Sequence, residues 1–189
     1  MLLRGLDEDI NKNNEKLKNL LKDNNEVLNN KLNENLIKEI KYNDGKYVGQ
    51  VVDGKPEGKG IRYWNNGDRY EGDFKNNKME GKGIYYYKSG STYEGDFKND
   101  MTEGKGIYYA NNGDRYEGNL KNGKREGKGI YYFKNGNRYE GDFKNGNLDG
   151  TAIFYYNNGD MEMGVWKDGK EIGKHVILSK NGEVKTKNY

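Results

Sequence analysis

Tyr70-Glu71-Gly72-Asp73-Phe74-Lys75 returns as Tyr93-Glu94-Gly95-Asp96-Phe97-Lys98, as Tyr116-Glu117-Gly118-Asn119-Leu120-Lys121 and as Tyr139-Glu140-Gly141-Asp142-Phe143-Lys144, 23 residues apart each time. A weaker copy starts at Tyr47-Val48-Gly49, and a decayed one reads Glu162-Met163-Gly164-Val165-Trp166-Lys167. Each copy has a second half: Glu80-Gly81-Lys82-Gly83-Ile84-Tyr85-Tyr86-Tyr87 recurs from Glu103 and from Glu126, then decays through Ile153-Phe154 to His175-Val176-Ile177. Asn-Gly or Ser-Gly closes every unit, at Asn66-Gly67, Ser89-Gly90, Asn112-Gly113, Asn135-Gly136, Asn158-Gly159 and Asn181-Gly182. Two short aromatic and β-branched runs bounded by such pairs read as a β-hairpin. Repeats starting near 47, 70, 93, 116, 139 and 162 therefore predict six hairpins, or about 12 strands at ~4.8 Å spacing, a rod about 55 Å long. The expected fold is mainly β: a single-layer antiparallel meander over 42–182, with an N-terminal α-helical arm over 1–41 and a tail over 183–189.

The period is odd, whereas strand side chains alternate faces with period two. Tyr70, Gly72 and Phe74 share one face; Glu71, Asp73 and Lys75 take the other. For Tyr93 to return to the face of Tyr70, one turn per repeat must absorb an odd residue, and a three-residue loop with a glycine bulge does this. Gly72, Gly81 and Gly83 are expected inside strands, as floors on which tyrosine rings lie. The repeat core is then Tyr70, Tyr93, Tyr116 and Tyr139 with Phe74, Phe97, Leu120 and Phe143.

Composition agrees. Only 32% of the 189 residues are hydrophobic, while there are 28 glycines and 17 tyrosines, so aromatic rings on glycine replace an aliphatic core. The 33 basic and 30 acidic residues leave a net charge of +3, without the strongly basic face that nucleic acid requires. There is no cysteine, which excludes disulfides and thiol chemistry and favours an intracellular protein. No stretch reaches the ~20 apolar residues of a membrane-spanning helix.

The segment Tyr116-Glu117-Gly118-Asn119-Leu120-Lys121-Asn122-Gly123-Lys124-Arg125-Glu126-Gly127-Lys128-Gly129-Ile130-Tyr131 resembles the MORN (membrane occupation and recognition nexus) repeat, whose motif runs Tyr-Glu-Gly-Glu-Trp-x-Asn-Gly-Lys-x-x-Gly-x-Gly-x-Tyr. The resemblance covers about residues 43–182. It departs at the tryptophan column, which here holds Val51, Phe74, Phe97, Leu120 and Phe143 and has tryptophan only at Trp166, and at Glu162, which stands where tyrosine belongs. Atypical end repeats are the caps of a solenoid. The resemblance implies a scaffold in cytoskeletal or membrane-contact assemblies.

Residues 6–41 lack glycine and proline. Leu6, Ile10, Leu17, Leu20, Leu28, Leu32 and Leu36 fall at helical spacings, predicting an amphipathic helix of about 52 Å. It has three candidate destinations: the groove of its own rod, a coiled coil in a homodimer, or a foreign protein.

A catalytic constellation is missing. His175 is the sole histidine and lies in the decayed last repeat, where a surface or capping role is expected. Neither a cofactor nor a metal site is indicated. Glu71, Glu94, Glu117 and Glu140 are expected to pair with Lys82, Lys105 and Lys128 across the hairpins. The column Tyr85, Tyr108, Tyr131 and Phe154, with Tyr87 and Phe133, is the candidate groove for a helix. Lys59, Lys82, Lys105 and Lys128 form a candidate contact for anionic lipid heads. The reading taken forward is a non-enzymatic cytoplasmic scaffold, cytoskeletal or membrane-peripheral, whose groove binds a helical segment of a protein partner or its own N-terminal helix. The alternatives are a peripheral phosphoinositide-binding module and a regulatory subunit acting on an enzyme in trans.

Overall fold

The structure is a computed structural model that describes residues 37–189 and, ahead of them, only the isolated positions 15, 16, 19, 20, 22 and 24, which define no element. Fourteen strands follow one another: β1 (Ile37–Tyr42), β2 (Gly45–Val52), β3 (Lys55–Trp64), β4 (Arg69–Lys75), β5 (Lys78–Tyr86), β6 (Thr92–Lys98), β7 (Met101–Tyr109), β8 (Arg115–Lys121), β9 (Lys124–Tyr132), β10 (Arg138–Lys144), β11 (Asn147–Tyr155), β12 (Met161–Lys167), β13 (Lys170–Leu178) and β14 (Val184–Asn188). They form one open antiparallel sheet in sequence order.

The meander is confirmed, with two strands beyond the expected twelve. Residues 37–41, assigned to the helical arm, are strand β1, where Ile40 faces Tyr47. Residues 184–188, assigned to the tail, are β14 on β13. Both follow from the same cause: an open sheet offers unpaired backbone at each end, and a flanking segment gains hydrogen bonds by adding to it. The rest of the arm, with Leu6, Ile10, Leu17, Leu28, Leu32 and Leu36 of its stripe, lies outside the described residues. Leu20 is described and is 54% exposed.

The odd period is absorbed where expected. Lys88-Ser89-Gly90 is a three-residue loop: Gly90 N–H donates to Tyr87 O (2.9 Å), Tyr87 N–H to Ser91 O (3.0 Å), and Gly90 has φ 91°. This is a turn closed by a glycine bulge. The same pair of bonds recurs at Trp64, Ala110, Phe133, Tyr156 and Ser179. The other turn has two residues, both at positive φ, such as Asn76 (50°) and Asn77 (65°) or Asn122 (49°) and Gly123 (77°). That geometry matches the right-handed twist of the flanking strands.

A second irregularity was not anticipated. Gly72 faces Gly83, yet Phe74 faces Met79, so Asp73 alone spans Glu80, Gly81 and Lys82. Gly81 sits at this bulge with φ 68°, so it supplies a backbone conformation and is not a floor. The bulge turns Glu80 onto the next hairpin, where its carboxylate accepts the N–H of Asn99 (3.0 Å). Glu57, Glu103 and Glu126 do the same for Asn76, Asn122 and Asn145. Each acid thus ties a left-handed turn residue to the preceding repeat. Glu103→Ala is expected to cost about 1 kcal/mol in urea denaturation, the worth of one such bond; an unchanged midpoint would refute the tie.

The core is one-sided. Tyr47, Tyr70, Tyr93 and Tyr116 are 0–2% exposed, and Phe74, Phe97, Leu120, Phe143 and Trp166 pack beside them. Tyr70 meets Phe74 and Phe97 edge-on at 5.2 and 4.8 Å, the favoured aromatic geometry. A Cβ on Gly72 or Gly83 would fall inside the Tyr70 side chain, so these glycines are the expected floors. Lying flat, Tyr70 donates its hydroxyl to Asp73 O (3.0 Å), as Tyr93 does to Asp96 O and Tyr116 to Asn119 O. Burial pushes the Tyr47 and Tyr116 phenols up to about 12.

Tyr139 breaks the column. It is only partly buried, because Ala152 stands where the other repeats have Gly83, Gly106 and Gly129. The Ala152 methyl occupies the floor beside Gly141, and the Tyr139 ring packs instead on Phe154 at 4.4 Å.

Candidate functional site

The face opposite the tyrosines carries three rows of side chains, each set by the strand register. In the central row Ile84 faces Glu71 on one side and Glu94 on the other, and Ile107, Ile130 and Ile153 repeat the arrangement with Glu117 and Glu140. The expected Glu–Lys pairing is therefore corrected: the bulge carries Lys82 past Glu71 to Asp96, with Nζ–O at 2.6 Å. Lys59–Asp73 (2.6 Å) and Lys128–Asp142 (2.8 Å) match it, while Lys105 faces Asn119. The third row, nearest the three-residue loops, sets arginines between tyrosines, with Thr92 at one arginine position. Arg69 lies over the Tyr86 ring (4.1 Å), Arg115 over Tyr132 (4.1 Å) and Arg138 over Tyr155 (3.7 Å), contacts worth about 0.5–1 kcal/mol each at exposed sites.

Along the lysine row and the central row lies a continuous trough of about 1890 Å³, lined from Ile37 at one end to Val165 at the other. Twelve strands at ~4.8 Å make it about 53 Å long. Its middle is amphipathic, with isoleucine on the floor and acids between. Its far end is apolar: Met163 replaces the glutamate, Thr151 the lysine and Val165 the aspartate of the repeat. Met163 (47%), Val165 (41%) and Val176 (37%) are exposed there.

The aromatic residues read as a helix groove occupy the other face. Tyr85, Tyr108 and Tyr131 lie in one row with the buried tyrosines. Tyr85 contacts Tyr87 at 4.6 Å, Tyr131 contacts Phe133 at 4.9 Å, and Phe133 contacts Phe154 at 6.1 Å. Tyr85 and Tyr131 donate their hydroxyls to Asp68 and Asp114, whose carboxylates also accept Lys88 N–H and Lys134 N–H. Those backbone bonds hold both acids below the ordinary aspartate value. The isoleucine column that lines the trough was overlooked, although Ile61, Ile84, Ile107, Ile130 and Ile153 recur at the same 23-residue offset.

His175 is fully buried in the sixth repeat. Its ring lies on Gly164, and its Nε2 meets Val165 O at 3.0 Å, the carbonyl equivalent to the one Tyr70 reaches. The expected surface position is corrected: the imidazole is buried and fills the place of a tyrosine ring, entering from β13 instead of β12. Glu162, at the vacated tyrosine position, receives Nδ1 of His175 (2.9 Å), Tyr156 OH (2.7 Å) and Tyr189 OH (2.8 Å). Among the described residues no group of three or more histidines, cysteines or acids is placed to hold a metal, and no helix is long and apolar enough to cross a membrane.

Among curated proteins no sequence matches this chain. Its sheet is similar to the TCP domain of SAS-4 from Drosophila melanogaster, solved in complex with a proline-rich motif of Ana2, at 17% identity, TM-score 0.49, and coverage of 81% of this chain and 90% of that one. The TCP10c domain of Drosophila melanogaster Sas-4 matches at 17% identity and TM-score 0.40, over 82% of this chain and 100% of that one. The TCP10 domain of Danio rerio CPAP matches at 14% identity and TM-score 0.31, over 80% and 94%. The family model of the MORN repeat matches five consecutive units, at 47–69, 70–92, 93–115, 116–138 and 139–161. Those units span well over half of the sequence and begin at the tyrosine column, and the chain belongs to the MORN repeat family.

Proposed function

We propose that this protein is a scaffold without chemistry of its own, whose trough receives a helical segment of a protein partner. The observation that carries this is the trough itself: an unbroken strip about as long as a 35-residue helix, with isoleucines at its floor and ions at its rims. A helix with an apolar stripe buries that stripe on Ile84, Ile107 and Ile130 and sets its own charges against the Glu71 and Glu94 rows. The apolar end at Met163, Val165 and Val176 fixes direction, because only one end of such a ligand needs to be apolar all round.

The test is affinity capture with the whole chain against a variant carrying Ile84→Asp and Ile107→Asp. Both side chains stand on the open face, so the circular dichroism spectrum is expected to be unchanged while bound partners are lost. The same partners on both proteins would sink the proposal. Ile37, the first residue of β1, itself lines the trough. If the arm competes for it, a chain starting at residue 37 captures more, not less.

Three of the four column lysines are already neutralised by Asp73, Asp96 and Asp142, which works against the phosphoinositide reading. The protein is expected to stay at the bottom in flotation with phosphoinositide vesicles at physiological salt. Flotation would reverse that order of preference.

A further inference from the structure

The repeat departs from its own pattern on the aromatic face between β7 and β9. The column that opens each three-residue loop holds Trp64, Tyr87, Phe133 and Tyr156, but Ala110 in the third repeat and Ser179 in the sixth. The phenylalanine column drops to Leu120, and the column of Met79 and Leu148 holds Thr102 and Arg125. These four smaller or polar residues come from β7, β8, β9 and the loop after β7, and they all line one pocket of about 410 Å³ walled by Tyr108 and Tyr131. That volume is in the small-ligand range. The gap is local to the third and fourth repeats, since a tyrosine at 110 would fill it as Tyr87 and Tyr156 fill theirs.

Arg125 gives the pocket a charge. Its guanidinium lies 5.2 Å from the Tyr131 ring centre, 5.4 Å from Phe143 and 5.7 Å from Tyr116. Arg62, Arg69 and Arg115 have carboxylate partners, whereas Arg125 has no ion pair among the described residues. The nearby Asp114 is already occupied by Tyr131 OH and Lys134 N–H. A guanidinium held among rings is partly stripped of water, and its attraction for an anion rises accordingly.

We propose that this pocket binds an acidic side chain of a partner polypeptide together with the apolar residue next to it. The carboxylate meets Arg125 in a charge-assisted, two-point contact. The apolar neighbour fills the space left by Ala110 over Leu120. A neutral side chain would leave the cation unpaired, and a lone anion would leave the aromatic walls uncovered, so the two requirements act jointly. The site lies on the face away from the trough and does not depend on its occupancy.

The experiment is a titration of the isotope-labelled full-length chain, followed by amide and guanidinium NMR signals. The probes are N-acetyl-leucyl-glutamate amide, its glutamine analogue and inorganic phosphate. The glutamate probe is expected to shift Ala110, Gly123, Gly146 and the Arg125 side chain, with the glutamine analogue about tenfold weaker. Arg125→Gln is expected to erase that preference. Ala110→Tyr restores the column without touching Arg125 and is expected to abolish binding of both peptides. Equal binding of the two peptides, retained binding in Ala110→Tyr, no shift with the glutamate probe, or tighter binding of phosphate at the same signals would each overturn the proposal. Ile84→Asp is expected to leave the titration unchanged, which separates failure here from failure of the trough.

Discussion

Gly106→Ala is expected to destabilise the sheet by about 3 kcal/mol, although alanine in a strand ordinarily gains about 0.5–1 kcal/mol over glycine. The added Cβ would lie inside the Tyr93 ring. The backbone cannot retreat, because Gly106 faces Gly95 and Gly118 in neighbouring strands and both sides are hydrogen-bonded. The ring must lift away, which exposes a side chain now 1% exposed, breaks its bond to Asp96 O and removes its edge-on contact with Phe97. Burial of a large side chain is worth about 1.5–3 kcal/mol and an aromatic pair about 0.5–1.5 more. The molecule contains its own control. Ala152 already does this to Tyr139, so Ala152→Gly is expected to lower Tyr139 onto Gly141 and to stabilise, against the usual sign. Urea midpoints of the two variants check both. If Gly106→Ala moves the midpoint by less than about 0.5 kcal/mol equivalent, the glycine-floor account is wrong.

That pair of positions also shows how far the fold was legible. The tyrosine and glycine columns and the loop that absorbs the odd residue follow from a count of 23 and the two-residue alternation of strands. The position of Tyr139 does not, because it is decided by a residue 13 places away on the next strand, and only a known register brings Ala152 to it. The same limit explains the misassigned ion pairs. Parity places Glu71 and Lys82 on one face, but the two extra residues around Gly81 slide Lys82 along the strand to Asp96. The trough was not legible for a different reason. Tyrosines suggested a groove by their size, and the rings of Tyr47, Tyr70, Tyr93 and Tyr116 lie flat on the glycines and cover much of their own face, the pocket beside Ala110 excepted. The smaller isoleucines, with acids between them, leave the other face open. Strands β1 and β14 lacked any repeat signal, since Ile37–Tyr42 and Val184–Asn188 are strands only by pairing with an edge that the repeats provide.

The second large effect is expected where the repeat swaps its residues. Glu162→Tyr alone should cost about 3 kcal/mol, because the new ring must enter the space over Gly164 that His175 already fills. His175→Gly alone should cost a similar amount, since it opens a cavity beside Trp166 and takes one donor from a buried carboxylate. Together the two changes rebuild the tyrosine-on-glycine unit of the central repeats, with a hydroxyl placed for Val165 O. The double variant is therefore expected to lose no more than either single variant, about half of the summed loss, a coupling at the upper end of the range for contacting residues, about 3 kcal/mol. Recovery is incomplete because Tyr156 and Tyr189 lose their acceptor. Acidity supplies an independent check. Burial raises the Glu162 carboxyl, but hydrogen bonds from Tyr156, Tyr189 and His175 outweigh it and leave the group below its ordinary 4.5. A carboxyl depressed by folding stabilises above its unfolded value, and that contribution is lost as pH falls through the folded one. The parent protein is thus expected to lose more stability than the double variant as pH falls from about 5 downward. Additive losses in the double variant, or parallel acid profiles for the two proteins, would show that His175 and Glu162 do not stand in for the tyrosine of the repeat.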